Sequence, residues 1–266
     1  MVAERQIRKL TNSKSKDSQL KTQHQPHSSL LKMFFRFTGI LIVSSGLAVS
    51  AADLRGNASR ELQFACDLEE CDPGTRPVTI DFNDLDAGDY VTTQYRRRFG
   101  MTFDADTSNV SGGFDAFGPR LFDSSNPTGR DFDLGTPNQR CPGGGPGRGS
   151  GGRPARFGGE NCVPRGNVMI IQENRATEPD DNRFGGQISI KFDEPTEILS
   201  VGFLDIQDAL TTTTVQPDIT LGNRVFGEGN NSFVDHRSCG LRDVLEFIVD
   251  FPQGGAITDI TICVRE

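Results

Sequence analysis

The sequence predicts an all-β protein, a two-sheet antiparallel β-sandwich of the jelly-roll kind forming a single domain. Three observations predict it. From Pro77 onward, short runs rich in Val, Ile, Thr and Phe are separated by clusters of Gly, Pro, Asn and Asp, the pattern of strands and turns. No window sustains the 3.6-residue apolar period of a helix, apart from a possible turn or two near Leu241. Ten such runs fall within residues 77–266, a density typical of a sandwich or barrel.

The runs follow in order. "VTIDFND", "YVTTQY", "FGMTFDA" and "RLFDSS" precede position 126, and "NVMIIQE" begins at 167. "GQISIKFD", "EILSVGFLDI", "DITLGNRVF", "DVLEFIVDF" and "AITDITICV" complete the set. One stretch does not fit. Residues 141–162, "CPGGGPGRGSGGRPARFGGENC", are too rich in glycine to bury a core, so they read as a loop closed by its terminal cysteines. A flexible insertion is the expectation for this loop, with contact to an anionic polysaccharide as the functional alternative.

The segment before the strands has a different character. Residues 33–52, "MFFRFTGILIVSSGLAVSAA", follow Lys32, contain an apolar run from Phe37 to Val49 and end in small residues. That layout predicts a signal peptide, and the apolar run falls short of the roughly 20 residues needed to cross a bilayer. An uncleaved signal anchor is the competing reading. Residues 1–32 are polar and aperiodic, an extended leader or sequence upstream of a start at Met33. Residues 53–76 form a cysteine-containing lead-in. The expected location is therefore extracellular or cell-surface, with no stable membrane insertion after cleavage.

Charge and cysteines agree with that location. Residues 1–52 hold eight of the 28 basic and two of the 36 acidic residues, which leaves 20 bases against 34 acids, a net charge of −14. Such a surface repels nucleic acid and attracts cations. Cys66, Cys71, Cys141, Cys162, Cys239 and Cys263 all follow the signal, and an even number in a secreted chain predicts disulfides. Pairing of nearest neighbours (66–71, 141–162, 239–263) is the expectation, although six cysteines allow 15 connectivities. Asn57, Asn109 and Asn230 lie in N-x-S sequons.

The order of motifs is also informative. "TIDFNDLDAGDYVTTQYRRRFGMTF", "LFDSSNPTGRDFDLGTP", "GNVMIIQE", "PDDNRFGGQISIKFDEPTEILSVGFLDI" and "GGAITDITIC" together resemble a secreted jelly-roll module. That module, of largely unknown function, occurs in bacterial surface proteins with PEP-CTERM-type sorting and in marine algae such as diatoms. The resemblance covers about residues 77–264, and its most specific part is D-x-D-L-G-T-P followed by N-V-x-I-I-Q-E. It implies a sandwich like those of carbohydrate-binding modules and lectins.

Motifs for catalysis are few. His236 is the one histidine after the signal, and no G-x-S-x-G elbow, H-E-x-x-H helix, P-loop or dinucleotide fingerprint occurs. Paired carboxylates as in glycosidases stay open, because 34 acids offer many pairs. Metal binding has better candidates, since calcium takes six to eight hard oxygen ligands and loop aspartates supply them. The clusters are Asp123 with Asp131 and Asp133, then Asp180, Asp181 and Asn182, and then Asp205 with Asp208. "DADTSN" at 104–109 imitates an EF-hand loop but has Asn109 where that loop needs glycine.

In "RDFDLG" strand alternation would put Asp131 and Asp133 on one face and send Phe132 to the core. Two carboxylates on one face call for a cation between them; capping of local turns is the competing reading. With no tryptophan and two tyrosines (Tyr90, Tyr95), sugar binding would rest on calcium, Asp/Asn hydrogen bonds and arginines. The sequence thus points to a non-catalytic, calcium-stabilised module for glycan or extracellular matrix material. A polysaccharide lyase or hydrolase and a self-assembling matrix protein are the alternatives.

Overall fold

The computed structural model describes residues 71–107, 117–152, 160–175 and 177–266, the side chains of 238–240 excepted. The signal-like segment, Cys66, Asn57, Asn109 and the side chain of Cys239 lie outside the described residues.

Nine strands are present among the described residues: β1 (Thr75–Ile80), β2 (Met101–Asp106), β3 (Pro119–Asp123), β4 (Asn167–Ile171), β5 (Gly186–Leu204), β6 (Ala209–Val215), β7 (Thr220–Phe226), β8 (Phe233–Phe251) and β9 (Ala256–Arg265). All pair antiparallel in the order β3-β4-β9-β5-β8-β6-β7, with β1 on β9 and β2 on β5, and the path does not close. The protein is therefore all-β, as expected. Its one described α-helix, α1, is the single turn Arg96–Phe99.

The two longest strands organise the molecule. β5 and β8 each run 19 residues. Between Lys191 and Ser200 the pairing of β5 with β8 slips at three places, the local irregularity that lets a strand bend. Before the slips β5 pairs with β2 on its other edge; after them it pairs with β9. One strand thus serves two sets of neighbours. One apolar cluster draws on both arms: Met101, Phe103, Ile188 and Ile190 from the first, Ile198, Phe203, Ile260 and Ile262 from the second. A smaller cluster on the other face joins Phe122, Val168, Ile170, Leu204 and Ala256 under Leu134.

Three strand expectations need correction. "YVTTQY" forms only a bridge at Tyr90 before turning into α1. Gln94 explains the turn: its Oε1 accepts the N–H groups of Thr92 and Thr93 at 2.7 and 3.0 Å, so local bonding wins over the ladder. "GQISIKFD" and "EILSVGFLDI" are one strand, because the bulged stretch absorbs Pro195 without ending it. The helical turn expected near Leu241 is replaced by β8, whose strand continues through Phe233–Phe251. β6, "ALTTTTV", was not expected at all. Its β-branched threonines suit the sheet, and Thr212 and Thr214 point inward, fully buried.

The disulfides follow the nearest-neighbour rule once and break it once. Cys141 bonds Cys162, closing the glycine-rich segment. Cys71 bonds Cys263, across 192 residues, which overturns both the 66–71 and the 239–263 pairings. The reason is the register of β1 on β9: Thr75 pairs with Arg265 and Pro77 with Cys263, so the start of the domain lies beside its end.

The glycine-rich segment also departs from expectation. Its described parts, 141–152 and 160–162, are packed against the domain instead of standing free. A Cβ on Gly145 would lie 2.1 Å from Pro137 O, and one on Gly147 would lie 2.2 Å from Gly135 O. Glycine is needed there for backbone-to-backbone approach. The N–H of Arg148 donates to Phe132 O at 2.7 Å, while its guanidinium covers the Phe132 ring at 3.9 Å.

Candidate acidic site

The segment that carries Asp131 and Asp133 is not a strand. Phe132–Leu134 form a 3-10 turn, so Leu134, not Phe132, enters the core, at 1% exposure. The two carboxylates nevertheless act on each other: each lies in a buried setting, and the charge of Asp133 is among the causes that raise Asp131.

Tertiary structure then brings two further aspartates to them. Asp131 Oδ2 accepts the N–H of Asp181 at 2.9 Å, from the connection between β4 and β5. Asp181 Oδ2 accepts the N–H of Gly255 at 2.9 Å, from the connection between β8 and β9. Asp205, just after β5, accepts the N–H of Asn231 at 2.5 Å through Oδ1. Asp205 and Asn231 both take positive φ, 61° and 58°, a conformation that Asp and Asn tolerate better than other side-chain-bearing residues.

Burial and mutual repulsion dominate the electrostatics. Desolvation pushes Asp131 up to about 6 and Asp205 up to about 8, reinforced by the neighbouring carboxylates. Asp181, buried against Asp131, Asp205 and Asp133, is raised well above the usual range, and burial raises Asp133. Among the described residues, no lysine or arginine forms an ion pair with any of the four. Buried acids without a cation are costly, and they shift toward the protonated form in response.

The other expected ligands divide differently. Asp123 Oδ1 accepts the N–H and hydroxyl of Ser125 two residues on, the turn chemistry that was the competing reading. Asn182 Oδ1 does the same for the N–H of Phe184, while its buried Nδ2 has no partner. Asp180 accepts from the side-chain amide of Asn174 and adds its charge to that felt by Asp131. Asp208 is exposed and lies outside the group. Asn230 turns its side-chain amide to Asp133. Turn capping thus accounts for Asp123, whereas Asp131, Asp181 and Asp205 each bind backbone 26 to 74 residues away.

Residues that sequence reasoning did not single out hold the group together. Asn231, fully buried, donates through Nδ2 to Asp133 O at 2.6 Å and Gly135 O at 2.8 Å. Its Oδ1 accepts from Asn138 Nδ2 at 2.5 Å and Asn161 Nδ2 at 3.2 Å. Asn161 is 0% exposed, and its Oδ1 has no hydrogen-bond partner. Arg120 orders the strand connection that leads to Asp180 and Asp181, donating to Gly88 O, Thr177 O and Glu178 O at 2.6 to 3.1 Å. Asn231 is part of a sequon and Asn161 sits among glycines, so neither carried a sequence signal of this role.

The donor set is one of hard oxygens, which suits calcium chemistry. Among the described residues, however, no three Asp, Glu, His or Cys side chains converge closely enough to ligate one ion. His236 is half-buried beside Phe203, burial lowers its pKa, and no carboxylate among the described residues is bonded to it. No helix among the described residues is long and apolar enough to cross a membrane. Comparison with family models, with curated proteins and with solved structures finds no match to this chain.

Proposed function

We propose that the protein is a secreted, non-catalytic binding or cell-surface module, a two-layer jelly-roll sandwich stabilised by calcium that recognises glycan or extracellular matrix material. The observation that carries the calcium part is the group Asp131, Asp133, Asp181 and Asp205, two half-buried and two buried acids whose charges act on one another from three chain segments, with no basic partner among the described residues. A divalent cation is the simplest counter-charge for such a set. The carboxylates of Asp131, Asp133, Asp181 and Asp205 would hold the ion, which supplies positive charge there. Two layers are supported by the slipped register of β5, whose arms have different partners, and by the single core drawn from both arms.

Burial argues for a structural ion over catalysis. Asp205, raised to about 8, would hold a proton at neutral pH as a general acid must. Yet Asp181 and Asp205 are only 8% and 4% exposed, and a proton donor has to touch its substrate. The glycan part rests on the resemblance to secreted jelly-roll modules.

The test is thermal unfolding of the full chain with its disulfides intact, in EDTA and in millimolar calcium. A ligand that binds the native state alone raises stability by RT ln(1 + [L]/Kd), about 2.7 kcal/mol at 100 times Kd. The expected result is a calcium-specific rise that is lost on Asp131→Asn with Asp133→Asn. Equal midpoints in EDTA and calcium would return these aspartates to structural hydrogen bonding.

A further inference from the structure

One hairpin gathers most of the exposed apolar side chains. Ile219, Leu221 and Phe226 are three of the five large hydrophobic residues exposed among the described residues, and all three lie in or beside β7. β7 ends the sheet, with β6 as its one partner strand. β3, at the opposite end, has its outer side engaged: Gly88 N–H donates to Leu121 O, Leu121 N–H to Asp89 O and Val91 N–H to Pro119 O. Nothing among the described residues bonds the outer side of β7.

The pairing with β6 fixes which backbone groups face outward. Gln216 N–H donates to Ile219 O and Gly227 N–H to Asp208 O, both at 2.9 Å. Hydrogen-bonded pairs alternate along the ladder between those two, so they fall at Thr214 with Leu221, Thr212 with Asn223 and Leu210 with Val225. Thr220, Gly222, Arg224 and Phe226 therefore turn their N–H and C=O groups away from β6. The ladder runs without a slip, and β7 carries no proline, lysine or bulge of the kind that blunts an exposed edge.

We infer that β7 is the docking edge for a second copy of this chain, the two β7 strands pairing antiparallel about a two-fold axis at Leu221. Outward-facing residues can bond only outward-facing residues, and charge chooses among the registers this leaves. Centring on Leu221 sets Thr220 across from Gly222 and brings Arg224 level with Asp218 in the turn of the second copy. Centring on Arg224 would set two arginines face to face, and centring on Asn223 would set Asp218 across from Glu228. Centring on Gly222 would leave Arg224 across from Thr220 and Asp218 across from Phe226, with both charges unpaired. Among the described residues, neither Asp218 nor Arg224 forms an ion pair within its own chain. The favoured register also puts Leu221 against Leu221 as a non-hydrogen-bonded pair, the closer kind, with Ile219 of each strand on the same face. The edge is self-complementary, an apolar centre flanked by two identical ion pairs, as a two-fold interface requires. A strand of seven residues buries less than a standard interface, so association in the micromolar range is expected.

The experiment is sedimentation velocity of the full chain over a dilution series across the micromolar range, with thermal unfolding of each variant alongside. Arg224→Asp and Asp218→Arg each turn two attractions into two repulsions, because the axis doubles every change, and each should weaken the dimer about tenfold. The combined variant exchanges the charges and should restore wild-type association. Both residues are exposed, so the unfolding midpoints should stay at the wild-type value. Leu221→Cys should cross-link two chains on oxidation, since non-hydrogen-bonded partners lie about 4.5 Å apart at Cα, whereas Asn223→Cys, across from Ile219, should not. A wild-type chain that sediments as a monomer throughout overturns the inference, whether another part of the chain or a different partner covers the edge. So does a dimer that both single variants leave unchanged, or that the combined variant fails to restore. Cross-linking at Asn223 in place of Leu221 would overturn the axis.

Discussion

The metal-free protein should become less stable as pH rises from 4.5 to 7.5, the reverse of what paired carboxylates produce. Asp205 sets the magnitude. Its carboxyl is 4% exposed and pushed up to about 8, whereas in the unfolded chain it titrates at about 3.9. A raised folded value means that the native state holds the proton more tightly. Its contribution is fully present below the unfolded value and is lost as pH rises through the folded one. Each pH unit inside that window removes about 1.4 kcal/mol, so the three units between 4.5 and 7.5 cost about 4 kcal/mol from this one group. Asp181 and Asp133, also raised, act in the same direction. His236 opposes them below its usual value, since burial disfavours its charged form in the native state.

Urea unfolding in EDTA at a series of pH values measures the slope, and Asp205→Asn isolates the cause. Asparagine keeps an Oδ1 for the N–H of Asn231 and tolerates the positive φ of this position. The variant should therefore gain stability at pH 7.5 in EDTA, lose about the stated slope, and respond less to calcium. Stability that is flat or rising between pH 5 and 7.5 in the wild type would refute the reasoning. So would a slope unchanged by Asp205→Asn, which would assign the effect to the net charge of −14 on residues 53–266.

Two packing predictions follow. Gly147→Ala should cost about 1–3 kcal/mol by overpacking against Gly135 O, while Gly222→Ala, with open space at its Cβ, should stay within about 0.5 kcal/mol; urea midpoints compare them. Leu134→Ala should cost about 2–5 kcal/mol, because Leu134 covers the second apolar cluster between Phe122 and Ala256, and calorimetric unfolding reads the loss.

Strands were legible in two ways: "AITDITICV" alternates toward one buried face, and "NVMII", buried on both faces, reads as a short continuous apolar run. β6 escaped because threonine is polar by composition, although its Cβ branching suits a strand as well as valine does. Pro195 concealed that two runs are one strand: sequence shows a breaker, and only the pairing shows a bulge that accommodates it. The acids were legible one at a time, as aspartates beside glycine and asparagine. Their grouping was not, since Asp131 meets Asp181 across 50 residues and Asp181 meets Gly255 across 74. Glycines of the closed segment were misread for a related reason. A glycine that frees the chain and a glycine that lets two backbones touch have the same letter, and only the neighbour 2.1–2.2 Å from a hypothetical Cβ separates them.

The covalent links do not by themselves explain why the acidic group stays assembled. Cys71–Cys263 joins the two ends of the domain, and Cys141–Cys162 closes a loop 21 residues apart. Neither spans from Asp131 to Asp181, to Asp205 or to Gly255. Those segments are joined by hydrogen bonds, each worth about 1 kcal/mol net and somewhat more when the acceptor is charged. Against those bonds stand the closure entropy of long connections and the repulsion of two buried and two half-buried acids. Protonation removes the repulsion at low pH but leaves oxygens with nothing to accept from, as at Asn161. A divalent cation would remove both costs together, drawing the oxygens inward and joining connections that neither described disulfide reaches. That is why the same four aspartates should make the metal-free protein weakest at the pH at which they are best able to hold an ion.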